Sequence, residues 1–471
     1  MPNVLISFLF LFVFVASVYA NANAKNAVSD TIAADSGSTV INIKHENNIL
    51  AVISWPFVRI VQPAAEFLMY PIIPALIYVS RENLIEKGKN LITYGDNGQI
   101  MFYPLVNAKV GSDSNIGFVY RHEELISEND FIYFSPHLYV NGDWDMFVNY
   151  QKSKINNTSV FMELGTRYRE YGSNSFRDPK STTYFYSDSS LSLLSAVGYR
   201  VTGDWKLRFA IESNFYKFNL PNINETVYNE PEVLDRGFYQ NFNSFPLTLS
   251  MFYSTLDVPY AATRGEKFSV GYSYVPVTGY NSSSEHNYHV LESRFVRYFL
   301  LGEKSYAMTV AESEVNREKF KNMTLKDAFE MFNPLNVKEE VLDRRVLITQ
   351  LKARYMIEEN KGKAPFTAMG NLGENFPLRA YSSGHFTAPL VAGVSVEYRW
   401  PIDLYADALI FNEYGIYGDG LSELFSVSNI KSSYGLGFRI RTPNLFITRF
   451  ALAFHGLNGV ALIFTTRPEY D

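Results

Sequence analysis

Cysteine is absent from the 471 residues, so neither a disulfide framework nor a thiolate metal site is available to this chain. Catalytic signatures are missing as well. There is no Gly-x-Ser-x-Gly elbow, no P-loop, no His-Glu-x-x-His pair and no Gly-x-Gly-x-x-Gly dinucleotide fingerprint. His286 and His289 are close in sequence, but an odd spacing in a strand puts them on opposite faces, where one metal cannot easily take both. A basic surplus is lacking too: the formal net charge is −6, which argues against a nucleic-acid partner. The expectation is a protein that is not an enzyme and holds no metal and no cofactor. Beyond the N-terminus, no apolar run is long enough for a membrane-crossing helix. If the chain spans a membrane, it does so with strands.

What is present points that way. Aromatic residues make up 16% of the chain, as 37 Phe and 33 Tyr with only 4 Trp, and a membrane barrel carries aromatic girdles at both interfaces. From Ile100 onward, runs alternate with period two. Tyr434, Leu436, Phe438 and Ile440 alternate with Ser433, Gly435, Gly437, Arg439 and Arg441; Val394, Val396, Tyr398 and Trp400 alternate with Gly393, Ser395, Glu397 and Arg399. A soluble sandwich alternates as well, but its strands usually run five or six residues, whereas these run about ten, the length that crosses a bilayer at a tilt of ~45°. The reading is an all-β, antiparallel transmembrane barrel over residues 99–471. Seventeen segments qualify as strands, including Ser305–Val315 and Leu342–Ile357, and since bacterial barrels close with an even number, sixteen is the expected total. Tyr171–Thr183 and Asn219–Ser244 read as long polar loops, and Asn141-Gly142-Asp143 and Gly456–Gly459 as tight turns.

The N-terminal part reads differently. Residues 1–20 have an apolar centre and a small-residue end, Val18-Tyr19-Ala20, as in a secretory signal, although no Lys or Arg precedes the apolar stretch. Residues 21–98 read as a flexible lead-in followed by short apolar helices. Trp55 to Val79 is apolar but interrupted by Pro56, Pro63, Pro71 and Pro74, which suits short helices at a membrane surface or in the barrel mouth as well as a buried helical hairpin. A helical-looking piece, Thr324 to Phe332, lies within an insert at 316–341, readable as a partner-docking element or as a mobile insert.

Four C-terminal motifs, in order, carry a family resemblance. Leu378-Arg379-Ala380-Tyr381 lies inside a glycine-rich loop; Val396-Glu397-Tyr398-Arg399-Trp400-Pro401 and Phe411-Asn412-Glu413-Tyr414-Gly415 follow; Ser433-Tyr434-Gly435-Leu436-Gly437 precedes a closing aromatic strand. Together they resemble the BamA/TamA (bacterial surface antigen) outer-membrane barrels. The resemblance implies that the loop before the fifth-last strand folds into the lumen, with Arg379 at its tip and Glu397 and Glu413 as its carboxylate partners. A guanidinium, with five donors in a planar fork, can bridge two carboxylates in that way. Ala380 stands where the family has glycine, and Glu413 where it has aspartate. No segment before Gly98 resembles a POTRA module, so the expectation is a member lacking them.

By the same resemblance the place is the bacterial outer membrane, the partners are its lipids with client β-barrel proteins or periplasmic proteins, and the role is protein or lipid assembly or translocation. The other reading is a passive structural or adhesive surface barrel, or a solute channel. The resemblance further implies a gate between first and last strands. Pro104 lacks the amide that a ladder position needs, so pairing there should be short or broken. Phe102 and Val106 on one side, and Ala461 to Phe464 on the other, are the candidate seam residues.

Overall fold

The computed structural model describes residues 93–466 except 96–98, 110–113, 178–182, 220–240, 259–260, 280–285, 302–344, 361–363, 374–376, 383, 404–405, 423–428, 442–445 and 457–458. The signal-like segment, the proline-broken apolar stretch and the 316–341 insert therefore lie outside the described residues.

Sixteen antiparallel strands close into one barrel. They are β1 (Ile100–Lys109), β2 (Asn115–Glu123), β3 (Asp130–Tyr139), β4 (Trp144–Lys152), β5 (Val160–Arg177), β6 (Thr183–Arg200), β7 (Trp205–Asn219) and β8 (Leu247–Ser254). The second half comprises β9 (Gly265–Val275), β10 (Tyr288–Leu300), β11 (Val346–Glu358), β12 (Leu390–Asp403), β13 (Ala406–Gly418), β14 (Ile430–Arg441), β15 (Phe446–His455) and β16 (Gly459–Thr465). Each strand pairs with its sequence neighbours, and β16 returns to β1. Of the seventeen expected strands, Ser305–Val315 lies outside the described residues, and β10 pairs directly with β11 from Tyr288–Glu358 to Leu300–Val346.

The alternation seen in the sequence sets the two faces. Ile116, Leu138, Leu249 and Val460 point outward and are 60%, 56%, 59% and 59% exposed, as are apolar residues on most other strands. A soluble monomer rarely exposes so extensive an apolar surface; on a closed barrel it is the face that meets lipid. On that face Phe438, Phe450 and Phe464 stand opposite one another across β14, β15 and β16, with ring centroids 4.8 and 4.6 Å apart. The alternate residues face the lumen, where Ser433, Arg439 and Arg441 are buried.

The two rims differ in their connections. Six on one rim, at 124–129, 153–159, 201–204, 255–264, 404–405 and 442–445, are short, while 301–345 on the same rim is long. In the turn at 255–264 the Asp257 carboxylate accepts hydrogen bonds from the amides of Val258, Thr263 and Arg264 at 2.9, 3.0 and 3.2 Å. Gly265, at φ +97°, has no room for a Cβ, which would lie 2.2 Å from the Thr255 carbonyl oxygen. The opposite rim mixes short joins, at 110–114, 140–143, 178–182 and 456–458, with long ones, at 220–246, 276–287, 359–389 and 419–429, and one expectation there is corrected. Residues 171–177 and 183, expected in a polar loop, continue β5 and β6 as a two-stranded arm past a bulge between Tyr171 and Asn174. Backbone pairing needs no apolar alternation once a ribbon leaves the bilayer, so the polar sequence concealed the strand.

Candidate functional site

Between β11 and β12 the chain turns into the barrel. A short 3-10 turn at Phe366–Ala368 and a two-strand ribbon, Gly370–Leu372 with Phe386–Ala388, bring the intervening residues over the lumenal face of β12 and β13. Two glycines make the room. Gly393 and Gly415 stand directly opposite each other on β12 and β13. A Cβ on Gly393 would lie 2.9 Å from Pro377 Cγ, and one on Gly415 would lie 2.8 Å from Leu378 Cδ1 and 2.9 Å from Leu372 Cδ1. Leu378 itself adopts φ 105°, a strained backbone for a side chain with a Cβ, at a cost of about 1–3 kcal/mol. Its complete burial against Leu372, Ala388 and Val391 offsets that cost.

Arg379 follows at the tip. Its Nη1 donates to Glu397 Oε2 at 2.7 Å, and its Nε lies 2.8 Å from Glu413 Oε1. Glu413 is further satisfied by the backbone amides of Leu378 (2.9 Å) and Arg379 (2.6 Å) on Oε2, and by Ser395 Oγ (3.4 Å) on Oε1. The carboxylate therefore holds the loop backbone as well as the guanidinium. Ala380 donates its amide to Ser433 Oγ at 3.0 Å and packs with Leu409, Phe411, Ala451 and Ala453. The methyl group that a glycine would lack is thus accommodated in an apolar pocket. The Arg379 guanidinium also stacks over Phe411, 4.2 Å from the ring centroid.

Several partners escaped the sequence reading. Glu397, 1% exposed, meets three arginines: Arg379, Arg399 through its Nε, and Arg449 through Nη2 at 3.2 Å. Asp407 receives Arg439 Nε at 2.8 Å and Arg441 through Nε at 2.7 Å and Nη2 at 2.9 Å. The available signal was parity, because Glu397, Asp407, Arg399, Arg439, Arg441 and Arg449 all occupy lumen-facing positions of adjacent strands. Among the described residues no group of three His, Asp or Glu side chains converges to hold a metal. His289 instead meets Tyr272 Oη through Nδ1 at 2.7 Å.

At the seam, β1 and β16 pair at Asn107–Thr465, Ala108–Phe464 and Lys109–Ile463. Thr466 adds its amide to the Val106 carbonyl at 3.1 Å, and the Val106 amide donates to Thr466 Oγ1 at 3.0 Å. By contrast, β1 pairs with β2 from Ile100–His122 to Asn107–Asn115. On its other edge, Thr93–Tyr94 pairs with Met101 and Ile100, leaving Phe102 to Leu105, with Pro104 among them, outside any ladder on that edge among the described residues. Of the candidate seam residues, Val106 and Phe464 take part in the closure. Phe102, whose ring lies 5.1 Å from Phe118, and Ala461, opposite Ala453, lie beyond the seam pairs formed among the described residues.

No family model matches the sequence, and no curated protein matches it at the level of sequence. Among solved structures the chain is similar to BamA from Haemophilus ducreyi lacking POTRA domains 1–3, with a TM-score of 0.54 and 12% identity over 78% of this chain and 69% of that one. CdiB from Acinetobacter baumannii gives a TM-score of 0.48 and 10% identity over 78% of this chain and 59% of that one. CdiB from Escherichia coli gives 0.48 and 8% over 77% and 62%. The chain thus spans less than two thirds of either CdiB chain, and at these identities the likeness is one of fold.

Proposed function

We propose that this chain is a bacterial outer-membrane barrel that assembles or translocates proteins, opening laterally at the β1–β16 seam while the Arg379 loop stays locked in the lumen. The reading includes no catalysis: the strand edge is the working surface, and client strands meet it by augmentation. The observation that carries it is the seam, where among the described residues three ladder pairs and Thr466 close the ring. Opening a seam this short exposes few backbone groups, so it is the least costly place to part the wall. The BamA-like fold supports the same reading.

A disulfide across the seam tests it. Ala108 and Phe464 are directly opposite, and opposite residues of an antiparallel pair stand roughly 4.5–5.5 Å apart at Cα, within disulfide range. The chain has no other cysteine to interfere. The Ala108→Cys, Phe464→Cys double variant, oxidised in liposomes with an unfolded β-barrel client, should lose client insertion and recover it on reduction. Full insertion by the locked barrel would remove the gate. Conductance of small solutes in planar bilayers that is insensitive to locking would instead favour a channel.

A further inference from the structure

Outside the Arg379 cluster, Asn115 on β2 and Ser135 and His137 on β3 form a hydrogen-bonded chain of side chains. Parity places it in the lumen. Ile116 and Leu138 point outward, so their odd-numbered neighbours Asn115, Gly117, Ser135 and His137 point inward, and His137 stands opposite Gly117 on one side and Asp145 on the other. The glycine gives its place to the imidazole: a Cβ at Gly117 would lie 3.2 Å from His137 Nδ1 and 2.2 Å from the Pro136 carbonyl oxygen. His137 Nδ1 lies 3.4 Å from Asn115 Oδ1, and Nε2 lies 2.8 Å from Ser135 Oγ. An amide oxygen only accepts, so the proton is on Nδ1, and the bare Nε2 accepts the serine hydroxyl.

A hydroxyl on the basic nitrogen of a histidine whose other nitrogen is held by a third group is the arrangement that acyl transfer uses. The neighbours suit that chemistry. Asp145, buried and directly opposite His137, supplies the negative charge that an imidazolium needs and that the neutral Asn115 lacks. Arg167 Nε donates to Asp145 at 2.8 Å, and this half-exposed guanidinium is the cation at hand for a developing oxyanion. Ser135 itself is 1% exposed, but the part-exposed rings of Tyr133, two residues along β3, and Phe147, directly opposite on β4, flank it on the lumenal face. Their centroids are 5.9 Å apart, and they offer an apolar surface to a small acyl group.

We propose that the lumen hydrolyses carboxylic esters with small acyl groups, an activity additional to the seam and independent of it, with Ser135 as nucleophile, His137 as base and Asn115 as a positioning residue. Ser135 Oγ bonds to the ester carbonyl carbon as its proton passes to His137 Nε2. The ester C–O bond then breaks, the leaving oxygen takes that proton and departs as an alcohol, and the acyl group stays on the serine. Water adds to the acyl-serine, giving one proton through His137 back to Ser135 Oγ, and the carboxylic acid is released. The test uses the full chain in detergent, with compact mobility on unheated gels as the measure of folding. A fluorophosphonate should leave an adduct on Ser135, read by mass spectrometry, in the folded chain and not in the heat-unfolded one. Hydrolysis of p-nitrophenyl butyrate should fall by about 10²–10⁴-fold in Ser135→Ala and in His137→Gln. No adduct on Ser135, or a parent no faster than Ser135→Ala, would overturn the proposal. Asn115→Leu should lower kcat with KM little changed, and Asn115→Asp should restore kcat; equal kcat in parent and both variants would overturn the role of Asn115. Should the variants fail to fold, the adduct on the unaltered chain decides.

Discussion

The two sides of the lumen use the same ion-pair chemistry under opposite conditions. On β12 to β15, where the loop fills the barrel, Arg379, Arg399 and Arg449 meet Glu397 with side chains 12%, 3% and 5% exposed against a carboxylate at 0%. On β2, Arg121 and Glu123 pair at 2.8 Å with side chains 32% and 46% exposed, while Arg167 with Asp145 on β4 and β5 is intermediate at 42% and 2%. Distances alone do not separate these pairs; water does. A charge withdrawn from water depends on its partners for nearly all its stabilisation, so removing a partner from the filled side leaves an uncompensated buried charge. On the wet side solvent takes the partner's place.

The largest effect should come from Glu397→Gln. Three guanidinium groups would then surround a neutral amide, and breaking a buried ionic cluster in this way costs about 3–5 kcal/mol. The urea midpoint of the detergent-solubilised barrel, followed by loss of its compact mobility on unheated gels, should fall accordingly. A midpoint equal to that of the parent would mean that the filled side is wetter than its burial indicates, and the comparison would fail.

Arg379→Ala should have a smaller and more local effect. Glu397 keeps Arg399 and Arg449, and Glu413 keeps the amides of residues 378 and 379 together with Ser395. The loss is then that of hydrogen bonds to charged groups, about 2–3 kcal/mol, and it falls on the loop rather than on the barrel. Faster proteolysis within residues 370–384 and noisier conductance, with the barrel's urea midpoint little changed, are the expected readouts. A global loss as large as that of Glu397→Gln would show that the guanidinium holds the wall together and not only the loop.

How much of this was legible in the sequence follows from the same division. The barrel was legible because lipid on one side and lumen on the other force strict alternation, as in Tyr434 to Arg441. The β5 side of the arm, residues 171–177, was not, because outside the bilayer neither face need be apolar. Arg379, Glu397 and Glu413 were nameable only through a resemblance. That Glu397 would collect Arg399 and Arg449 depends on cross-strand register, which places Arg449 near Glu397 although 52 residues separate them. Register also explains the seam: that the first and last strands close the ring was expected, but which residues close it depends on a stagger that no single strand encodes.

The smallest effect should come from Glu123→Gln, and it sharpens the contrast. Arg121 loses its ion pair but keeps its stacking on Phe131, 4.7 Å from the ring centroid, and both side chains already face water. A pair of this kind contributes about 0.2–1 kcal/mol, and less as salt rises, because exposed charges are screened over roughly 10 Å at 0.1 M and roughly 3 Å at 1 M. The urea midpoint of Glu123→Gln should therefore lie slightly below that of the parent at low salt and coincide with it in molar sodium chloride. Glu397→Gln, measured in the same two buffers, should keep most of its deficit, since ions do not enter the packed cluster. If the deficit of Glu397→Gln vanished in high salt as well, both sides of the lumen would be equally wet, and the loop would be a loose tether rather than a plug.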